Sequence, residues 1–540
     1  MSTVVVGSDA LNRPATRIDP EEQRDFVVVA NRLPVDRSNR DDRTGQWRTS
    51  PGGLVSALAP VMRRQAGSWV GWAGSPDNPA ETFDHDGMHL VAVSLSDEEV
   101  RDYYEGFCNA TLWPLYHDAI APPKFERAWW EAYVSVNERF AAAACRQAAA
   151  KAAVWVHDYQ LQLVPEMVRR ERPDLTVGFF NHIPFPGYEI FAQLPWRRQI
   201  VEGLLGADLI GFQRAADATN FLRACRRSAK CQTRGGTVSV TGNAGRRGRR
   251  HDRATVAETD RPEVRSVRVR AFPISIDYEG YEAVARRPEV QARAKAIRTE
   301  LGNPRTVLLG VDRLDYSKGI LHRLTAYEEL LDEGRLAPPD SVLVQVATPS
   351  RDRVLQYQVL REQVQRQVGR VNGNHATLGQ PAVTYLNQGL PREEMAALYL
   401  AADVMLVTSL RDGMNLVAKE YVTCRLDESG ALVLSEFTGA ADELGSALLV
   451  NPHDIEGLKE AILKAVLLSP REAKRRMRPM RKRIRTHDVN LWSSSFLDAL
   501  ALTTSSLFEE DRSSVGAHRR QNHGSDGKVI GVAPSGNWAK

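Results

Sequence analysis

Cysteine is scarce in this sequence, which has five cysteines among 540 residues. They are Cys108, Cys145, Cys225, Cys231 and Cys424, and no two of them form a C-x-x-C pair. The pattern therefore indicates neither a disulfide framework nor a zinc site. We expect reduced, mostly structural thiols in a cytoplasmic protein.

Long apolar segments are missing as well. No stretch approaches the roughly 18 consecutive apolar residues of a membrane-spanning helix, and the first residues lack the basic and then apolar pattern of a signal peptide. The formal net charge of +4 is small for this length and is weak evidence for a nucleic-acid partner. We therefore expect no membrane partner and no nucleic-acid partner.

The sequence also lacks common signatures of phosphate and metal sites. It contains no Walker loop, no G-x-G-x-x-G flanked by a strand and a helix, and no D-x-D pair placed as a metal site. Instead, Asp312 and Asp315 flank Arg313. We expect no metal, and we expect basic side chains to neutralise any diphosphate that binds.

What is present is a globular composition, 43% hydrophobic and 26% charged, in a chain too long for one core. Apolar runs alternate with helical patterns in both halves, which predicts two doubly wound α/β domains with ligands beyond the carboxyl ends of the strands. The predicted divisions are a flexible N-terminal arm (1–24), a first Rossmann-like domain (25–272), a second Rossmann-like domain (273–486) that begins with a helical segment at 281–301, a helix packing back on the first domain (487–506) and a disordered tail (507–540).

Three strand ends of the first domain carry candidate ligand groups. The apolar run 26–30 leads to Arg32 and then to Gly52 and Gly53, which open a helical pattern. A glycine pair there is a candidate anion site, because the N–H groups of a first helical turn are free to bind anions. Asp158 and His182 follow two further predicted strands, and we expect their side chains to converge on one crevice.

In the second domain, Arg313 and Lys318 follow the predicted strand 306–311 on a single loop. A loop of this kind can turn both cations towards one diphosphate, where arginine offers a planar fork and lysine a point charge. Arg351 follows the next predicted strand and could join them. Solvated surface charge is the plain alternative for each of these cations taken alone.

The stretch 403–421, D-V-M-L-V-T-S-L-R-D-G-M-N-L-V-A-K-E-Y, predicts a strand, a tight turn and the start of a helix. The first N–H groups of that helix have no partners within it, so they can hold phosphate or sugar hydroxyls. A ligand over the turn could meet Asp412 at one end and Glu420 at the other. An ordinary β–α corner with surface charges is the alternative.

Residues 233–262 interrupt the alternation. They are rich in glycine and arginine and lack apolar periodicity, which predicts a mobile surface loop. The loop could bind a polyanion or an acidic partner, or it could be a solvated insertion. The cations that would serve a partner are Arg246, Arg247, Arg249 and Arg250.

At this point the chain resembles a known family, the retaining trehalose-6-phosphate synthases, which are glycosyltransferases of the twin-Rossmann GT-B type. The resemblance covers roughly residues 25–505. The segments that carry it are Ala30-Asn31-Arg32-Leu33-Pro34, Gly52-Gly53-Leu54, Leu112-Trp113-Pro114, Trp155-Val156-His157-Asp158-Tyr159, His182-Ile183-Pro184-Phe185-Pro186, Arg313-Leu314-Asp315-Tyr316-Ser317-Lys318-Gly319 and Arg411-Asp412-Gly413-Met414-Asn415-Leu416-Val417-Ala418-Lys419-Glu420-Tyr421.

The resemblance implies transfer of glucose, with retention, from a nucleotide diphosphate glucose to glucose 6-phosphate. The product would be α,α-trehalose 6-phosphate, in the first step of trehalose biosynthesis. UDP-, ADP- and GDP-glucose stay open as donors. The family implies no cofactor, a homo-oligomer (dimer or tetramer) and a separate trehalose-phosphate phosphatase downstream.

The resemblance also implies roles for individual residues. The implied catalytic residues are Asp158, His182, Arg313, Lys318 and Asp412. The implied donor-binding residues are Gly52, Gly53, Arg313 and Lys318 for the diphosphate, Asp412, Gly413, Met414, Asn415, Leu416 and Val417 for the glucose, and Glu420 for the ribose. The implied acceptor-binding residues are Arg32, Trp72, Tyr104, Trp113, Asp158 and Arg351.

Two other functions are compatible with parts of this pattern. One is a non-catalytic sugar-phosphate sensor that signals through the Arg-rich loop. The other is a related GT-B synthase with another acceptor, such as a glycogen synthase or a glucosylglycerol-phosphate synthase. The intact set of Arg313, Lys318, Asp412 and Glu420 argues against the sensor, because a pseudo-enzyme has no need for all four.

Overall fold

The structure is a computed structural model, and it describes residues 23–37, 47–49, 58, 61–62, 65–77, 80–241, 264–351 and 353–518. Several residues named above lie outside this described part of the chain: Gly52, Gly53, Arg246, Arg247, Arg249 and Arg250. Among the helices that are described, none has the length and apolarity needed to cross a membrane.

The described strands, in chain order, are β1 (Arg24–Arg32), β2 (Val35–Arg37), β3 (Trp47–Thr49), β4 (Ser68–Trp72), β5 (Thr82–His85), β6 (Met88–Ala92), β7 (Ala148–His157), β8 (Thr176–Phe180), β9 (Leu209–Phe212), β10 (Gln232–Arg234), β11 (Thr237–Thr241), β12 (Val264–Ala271), β13 (Thr306–Arg313), β14 (Ser341–Thr348), β15 (Val383–Leu386), β16 (Val404–Val407), β17 (Ala431–Ser435) and β18 (Leu448–Val450).

The α-helices of the first domain are Asp97–Glu99, Trp113–Tyr116, Arg127–Gln147, Val164–Glu171, Tyr188–Phe191, Arg197–Leu204 and Ala215–Ser228, and a π-helix spans Val100–Leu112. The later α-helices are Tyr278–Arg286, Pro288–Glu300, Ile320–Asp332, Leu355–His375, Arg392–Ala401, Leu416–Cys424, Ile455–Val466, Pro470–Thr486 and Val489–His518. Short 3₁₀ helices lie at Tyr159–Leu161, Tyr316–Lys318 and Gly439–Asp442.

The strands form two large sheets. In the described part of the chain the first sheet has the order β10-β11-β12-β9-β8-β7-β1-β4-β6-β5, with parallel pairing from β12 to β6 and antiparallel strands at both edges. The second sheet has the order β15-β14-β13-β16-β17-β18 and is parallel throughout. The predicted pair of doubly wound α/β domains is confirmed.

The strands that lead to the candidate site are buried along nearly their whole length. Every residue of β13 is buried except Arg313 at its carboxyl end, and all of β16 is buried. Strands covered by helices on both faces read as continuous apolar runs, which is the pattern of T-V-L-L-G-V and V-M-L-V here. The first polar residues of each loop therefore emerge at the edge where ligands bind.

The closing helix, Val489–His518, returns to the first domain. Phe496 stacks on Trp155 of β7 with ring centroids 4.7 Å apart. Gly178 of β8 permits this approach, because a Cβ there would lie 2.9 Å from the Phe496 ring. The helix extends past residue 506, where the sequence pattern predicts its end and the start of a disordered tail.

The prediction of a structureless loop from residue 233 is wrong at its first part. Gln232–Arg234 and Thr237–Thr241 pair as an antiparallel hairpin, and Thr237–Thr241 also pairs with β12. The turn between them is Gly235-Gly236, with φ of +54° and +81°. Two glycines with positive φ form the tight turn that a hairpin favours. The Gly-Gly pair is thus a hairpin signal, but it stands in a stretch whose lack of apolar periodicity predicts a loop.

The helical pattern at 281–301 predicts one helix, and the structure has two, Tyr278–Arg286 and Pro288–Glu300. Arg287 between them is extended, with φ −62° and ψ 131°. A proline disfavours the helical conformation of the residue before it and is well placed as the first residue of a new helix. Pro288 therefore ends one helix and begins the next.

Candidate active site

The strand ends of the two domains meet at one crevice. Arg351, which follows β14 in the second domain, donates to the hydroxyl of Tyr159 beyond β7 at 3.2 Å. A Cβ on Gly413, which follows β16, would lie 2.2 Å from the carbonyl oxygen of His182, which follows β8. The polar residues predicted at strand ends are therefore brought together across the crevice.

Asp412 is the most connected side chain of residues 409–415, which we call the donor loop. Its Oδ2 accepts hydrogen bonds from Lys318 Nζ at 2.6 Å, from Asn415 Nδ2 at 3.2 Å and from Ser409 Oγ at 3.4 Å. Burial acts to raise the pKa of Asp412, but the Lys318 ammonium outweighs it and leaves the pKa below its ordinary value. Asp412 is therefore an ionised carboxylate held in a fixed orientation.

The helix that follows the donor loop begins with an unusual backbone conformation at Asn415, whose φ is +81°. Its side-chain oxygen accepts from Ala418 N at 3.0 Å and caps the helix Leu416–Cys424. Asparagine tolerates positive φ better than most residues, which explains its place here. The amides of Leu416 and Val417 belong to the first turn and have no acceptor within the helix.

Glu420 lies further along the same helix with its carboxylate fixed by two tyrosines. Tyr399 donates to Glu420 Oε2 at 2.8 Å, and Tyr281 also bonds to the carboxylate. Burial raises the pKa of Glu420 despite these hydrogen bonds. Asp412 lies just before the helix Leu416–Cys424, and Glu420 lies within it. The start of this helix thus lies between two oriented carboxyl groups, as the sequence predicts.

Two arginines of the second domain lie over the ring of Trp113 in the first domain. The guanidinium carbon of Arg351 is 3.7 Å from the ring centroid, and that of Arg313 is 5.2 Å away. Both distances are within cation–π range. The predicted acceptor residues Trp113 and Arg351 are therefore in contact, and Arg313, a predicted diphosphate ligand, lies over the same ring.

Asp315 fixes the position of Arg351. Its Oδ2 accepts from Arg351 Nη1 at 3.0 Å and from the Tyr357 hydroxyl at 3.1 Å, and Arg351 also contacts that hydroxyl. The side chain of Asp315 is fully buried. Burial would raise its pKa, but Arg351, Arg313 and Lys318 together hold it well below its usual range.

Asp158 occupies a strained position at the end of β7, with φ of +74°. Its Oδ1 accepts from the backbone N–H of His182 at 3.0 Å. Burial raises the pKa of Asp158 to about 6, against the effects of that hydrogen bond and of Arg313 and Arg351. Asp158 and His182 are therefore in direct contact, through the Asp158 carboxylate and the His182 backbone rather than through both side chains as predicted.

The ring of His182 has protein partners at both nitrogens. Ile274 N donates to Gln213 Oε1 at 2.8 Å, which leaves the Gln213 amide nitrogen to donate to His182 Nδ1 at 3.4 Å. His182 Nε2 then donates to His157 Nδ1 at 3.1 Å. Burial lowers the pKa of His182 to about 3, so the ring is neutral and held in one tautomer.

The remaining predicted acceptor residues form a cluster beyond β1 and β4. The guanidinium of Arg32 lies 4.8 Å from the Trp72 ring centroid and donates to Asp36 Oδ1 at 2.5 Å. Trp72 meets Tyr104 edge to face at 5.7 Å. Tyr104 is near enough to Arg351 to interact with it electrostatically, which connects this cluster to the crevice.

Three N–H groups belong to residues predicted to bind the acceptor substrate. They are buried and have no hydrogen-bond partner among the residues that the structure describes. They are Arg32 Nε, Trp113 Nε1 and Arg351 Nε. Buried polar groups are nearly always paired, so unpaired N–H groups at a crevice are suited to a ligand rich in acceptor oxygens. A sugar phosphate is such a ligand.

Sequence reasoning missed several residues of this neighbourhood. They are His117, which stacks on Trp113, and Asp217, Gln213 and Tyr357. His157 and Asp315 were visible inside their motifs, but nothing local showed that His157 contacts His182 or that Asp315 orients Arg351. Tyr357 and Asp217 lie within helices, where a polar residue gives no local sign of the partner that the fold brings to it.

In the described part of the chain, one group of carboxylates is close enough to share a cation. It consists of Glu329, Glu333 and Glu456, and the ammonium of Lys459 contacts all three. Lys459 supplies the positive charge there. The predicted Gly52–Gly53 turn lies outside the described residues.

Comparison with known proteins gives one family and a consistent set of relatives. The model of Glycosyltransferase family 20 matches residues 24–502. The chain is similar to the trehalose-6-phosphate synthase of Mycolicibacterium gilvum, with 56% identity over 501 residues that cover 92% of this chain and 97% of the relative.

Two solved structures extend the comparison to the fold. An alpha,alpha-trehalose-phosphate synthase (UDP-forming) from Burkholderia xenovorans, in complex with glucose-6-phosphate, has 31% identity and a TM-score of 0.78, covering 88% of this chain and 99% of that one. An E. coli structure bound with UDP-2-fluoro glucose has 32% identity and a TM-score of 0.77, covering 88% and 98%. The GT-B fold predicted from the sequence is confirmed, and this chain belongs to glycosyltransferase family 20.

Proposed function

We propose that this protein transfers glucose, with retention, from a nucleotide diphosphate glucose to glucose 6-phosphate, giving α,α-trehalose 6-phosphate. The observation that carries the proposal is the crevice itself. It joins the Lys318–Asp412 pair of the second domain to the unpaired donors of Trp113 and Arg351. One side suits a sugar diphosphate and the other a sugar phosphate.

The relatives support both substrates. The Burkholderia xenovorans structure contains glucose-6-phosphate, and the E. coli structure contains a fluorinated UDP-glucose. We therefore take UDP-glucose as the first donor to test. ADP-glucose and GDP-glucose remain to be compared, because the charged groups of the crevice bind phosphates and hydroxyls rather than a base.

On the donor side, Arg313 and Lys318 bind the diphosphate. Bond breaking places negative charge on the departing phosphate, and fixed cations stabilise that charge. Asp412 accepts hydrogen bonds from the glucose hydroxyls, the backbone from Gly413 to Val417 contacts the same hydroxyls, and Glu420 binds the ribose. Gly52 and Gly53, which lie outside the described residues, are assigned to the diphosphate by the family resemblance alone.

On the acceptor side, Arg32, Tyr104 and Arg351 bind the phosphate of glucose 6-phosphate, and Trp72, Trp113 and Asp158 line the sugar. The acceptor hydroxyl attacks from the face that the diphosphate leaves, and the departing phosphate takes its proton. Retention then needs no enzymic nucleophile. Both ring nitrogens of His182 already have hydrogen-bond partners within the protein. His182 therefore contributes a fixed neutral ring and its backbone beside the transferred sugar.

We also propose that the enzyme works in the cytoplasm as a homo-oligomer, a dimer or a tetramer, and without a cofactor. All five cysteines are free thiols, which suits a reducing compartment. The product is a phosphate monoester, so a phosphatase is the enzyme class that would convert it to the free disaccharide.

The test is a coupled assay of released nucleoside diphosphate with UDP-, ADP- and GDP-glucose, each with and without glucose 6-phosphate. We expect release with at least one donor and only when the acceptor is present. A sugar-phosphate sensor would release nothing with any donor. A synthase with another acceptor would be silent with glucose 6-phosphate and active with a different sugar.

A further inference from the structure

Arg411 precedes Asp412 in the donor loop, but its guanidinium contacts the first domain. Nη2 lies 3.4 Å from Asp217 Oδ1, and Nε lies 3.3 Å from Asp118 Oδ2. Asp412 instead pairs with Lys318 inside the second domain. Of these two neighbouring residues, Asp412 thus makes its contact within the second domain, and Arg411 makes its contact across the crevice.

A second contact across the crevice lies on the other side of Asp412. Gly413 packs so closely on His182 that a Cβ would lie 2.2 Å from the His182 carbonyl oxygen. Asp412 is therefore flanked on both sides by residues that touch the first domain. Its position depends on how the loop rests against that domain as well as on Lys318.

The burial of the Asp217 carboxylate favours its ion pair with Arg411. Its side chain is 0% exposed, and its Oδ2 has no hydrogen-bond partner among the described residues. A buried carboxylate without a cation is costly, whereas a pair of opposite charges offsets part of that cost. Arg214, the other cation near it, is bonded to Asp442 through two hydrogen bonds.

The second partner of Arg411 lies in a constrained loop beside the acceptor residues. Asp118 and Ala119 both have positive φ, +56° and +55°, which is unusual for consecutive residues other than glycine. This loop directly follows the helix Trp113–Tyr116. One guanidinium therefore reaches both Asp217 and the segment that presents Trp113.

We propose that Arg411 is a positioning residue for the transfer reaction, and that its ion pair with Asp217 fixes the donor loop against the first domain so that Asp412 meets the transferred sugar. The inference rests on the proposed function, in which Asp412 binds that sugar. Arg411 itself touches neither substrate.

The test compares Arg411→Gln, Arg411→Lys and Asp217→Asn with the unchanged protein in steady-state assays. We expect Arg411→Gln to lower kcat at least about tenfold, the rate equivalent of roughly 1.4 kcal/mol. Arg411→Lys keeps the charge and should recover part of the loss, though not all of it, because lysine lacks the planar fork.

Binding of uridine diphosphate, measured by calorimetry, separates positioning from loss of the donor site. Its proposed side-chain contacts, Arg313, Lys318 and Glu420, all belong to the second domain. We expect the Kd of uridine diphosphate to change by less than about twofold in Arg411→Gln. A matching loss of binding would show that Arg411 supports the nucleotide site as a whole, which would overturn the proposal.

The double variant Arg411→Gln/Asp217→Asn decides whether the two residues act through each other, and it removes both charges of the pair if Arg411→Gln alone fails to fold. We expect its kcat to be no lower than that of the worse single variant. Effects that multiply would contradict the proposal, as would unchanged turnover in Arg411→Gln. If the unchanged protein turns over no donor, the proposed function fails instead, and the two failures are distinct.

Arg353→Gln is the matched control. Arg353 is 51% exposed and makes an ion pair across the same crevice with Asp97 at 3.2 Å, away from the donor loop. We expect its kcat to stay within about twofold of the unchanged protein. An equal loss in Arg353→Gln and Arg411→Gln would indicate a general effect of removing cross-domain charges and would overturn the specific role of Arg411.

Discussion

The ammonium of Lys318 lies 2.6 Å from the carboxylate of Asp412, and this contact joins the loops that follow β13 and β16. Both side chains are largely buried, at 11% and 13% exposed. Lys318 therefore favours the ionised form of Asp412, and the contact orients both side chains at the mouth of the crevice. In the proposed reaction, a bound donor shares this pair, with its phosphate on Lys318 and its glucose hydroxyls on Asp412.

Replacing Lys318 with alanine should lower turnover at least about tenfold, because the diphosphate loses a charge-assisted contact and Asp412 loses its cation. Arg313→Ala should act in the same direction. The measurement is kcat in the nucleotide-release assay. Lys295→Ala, at an exposed lysine on the helix Pro288–Glu300, is the control and should leave kcat unchanged.

Gly413→Ala should abolish most turnover while leaving the fold intact. The added Cβ would meet the His182 carbonyl oxygen at 2.2 Å, so the donor loop and the first domain must separate. A displacement of about 1 Å near reacting groups can cost roughly a hundredfold in rate. Steady-state rates and circular dichroism together check this expectation.

Gly369→Ala is the matched control for Gly413→Ala. Gly369 lies within the helix Leu355–His375, and a Cβ there meets nothing within 4 Å. Turnover should be unchanged, and stability should rise by about 0.5–1 kcal/mol, because alanine favours a helix interior over glycine. Full activity in Gly413→Ala would show that the close contact with His182 is dispensable.

Asp158→Asn should change how stability depends on pH. Burial raises the pKa of Asp158 from 3.8 to about 6 in the folded protein, so the folded state holds this proton more tightly than the unfolded chain. Stability from this group is therefore present at low pH and is lost as pH rises from about 4 to about 6.

Denaturant unfolding of both proteins at several pH values checks this sign. The quantity to compare is the unfolding free energy of Asp158→Asn minus that of the unchanged protein at the same pH. This difference should rise between about pH 4 and pH 6 and then stay level. A difference that stays flat across that range would show that Asp158 has an ordinary pKa.

Residues 242–263 should be dispensable for turnover. Thr241 and Val264 are direct partners in the β11–β12 pairing, so the two ends of this segment are already adjacent. A two-residue Asn-Gly turn can close antiparallel strands at such a pair. Replacement of 242–263 by Asn-Gly should leave kcat within about twofold, and a large loss would show that the Arg-rich segment takes part in catalysis or in assembly.

The sequence predicted much of the second domain because its strands are buried on both faces. The predicted strand 306–311 lies within β13, and the stretch 403–421 contains the strand β16 and the helix start that its pattern predicts. Local departures from these regular patterns were harder to predict. The hairpin at Gly235-Gly236 depends on turn chemistry within a polar stretch, and the break before Pro288 depends on a single residue inside a helical pattern.

The candidate site was predictable where its residues follow strands. Lys318 and Asp412 each lie on such a loop, and both are where the sequence placed them, at the crevice. Asp217 could not be found in this way, because it lies within a helix and its partner Arg411 approaches only in the folded chain. Gln213 does follow a strand, β9, but no strand was predicted there and its partner His182 also approaches only in the folded chain. The fold, and no local pattern, gives these side chains their roles.

The central claim is retaining transfer of glucose to glucose 6-phosphate, and NMR of the product tests it most directly. With UDP-glucose and glucose 6-phosphate, the unchanged protein should form a disaccharide phosphate in which both anomeric centres are α, while omission of glucose 6-phosphate should give no product. A β linkage from the donor glucose, or an absence of disaccharide with every nucleotide sugar offered, would contradict the account.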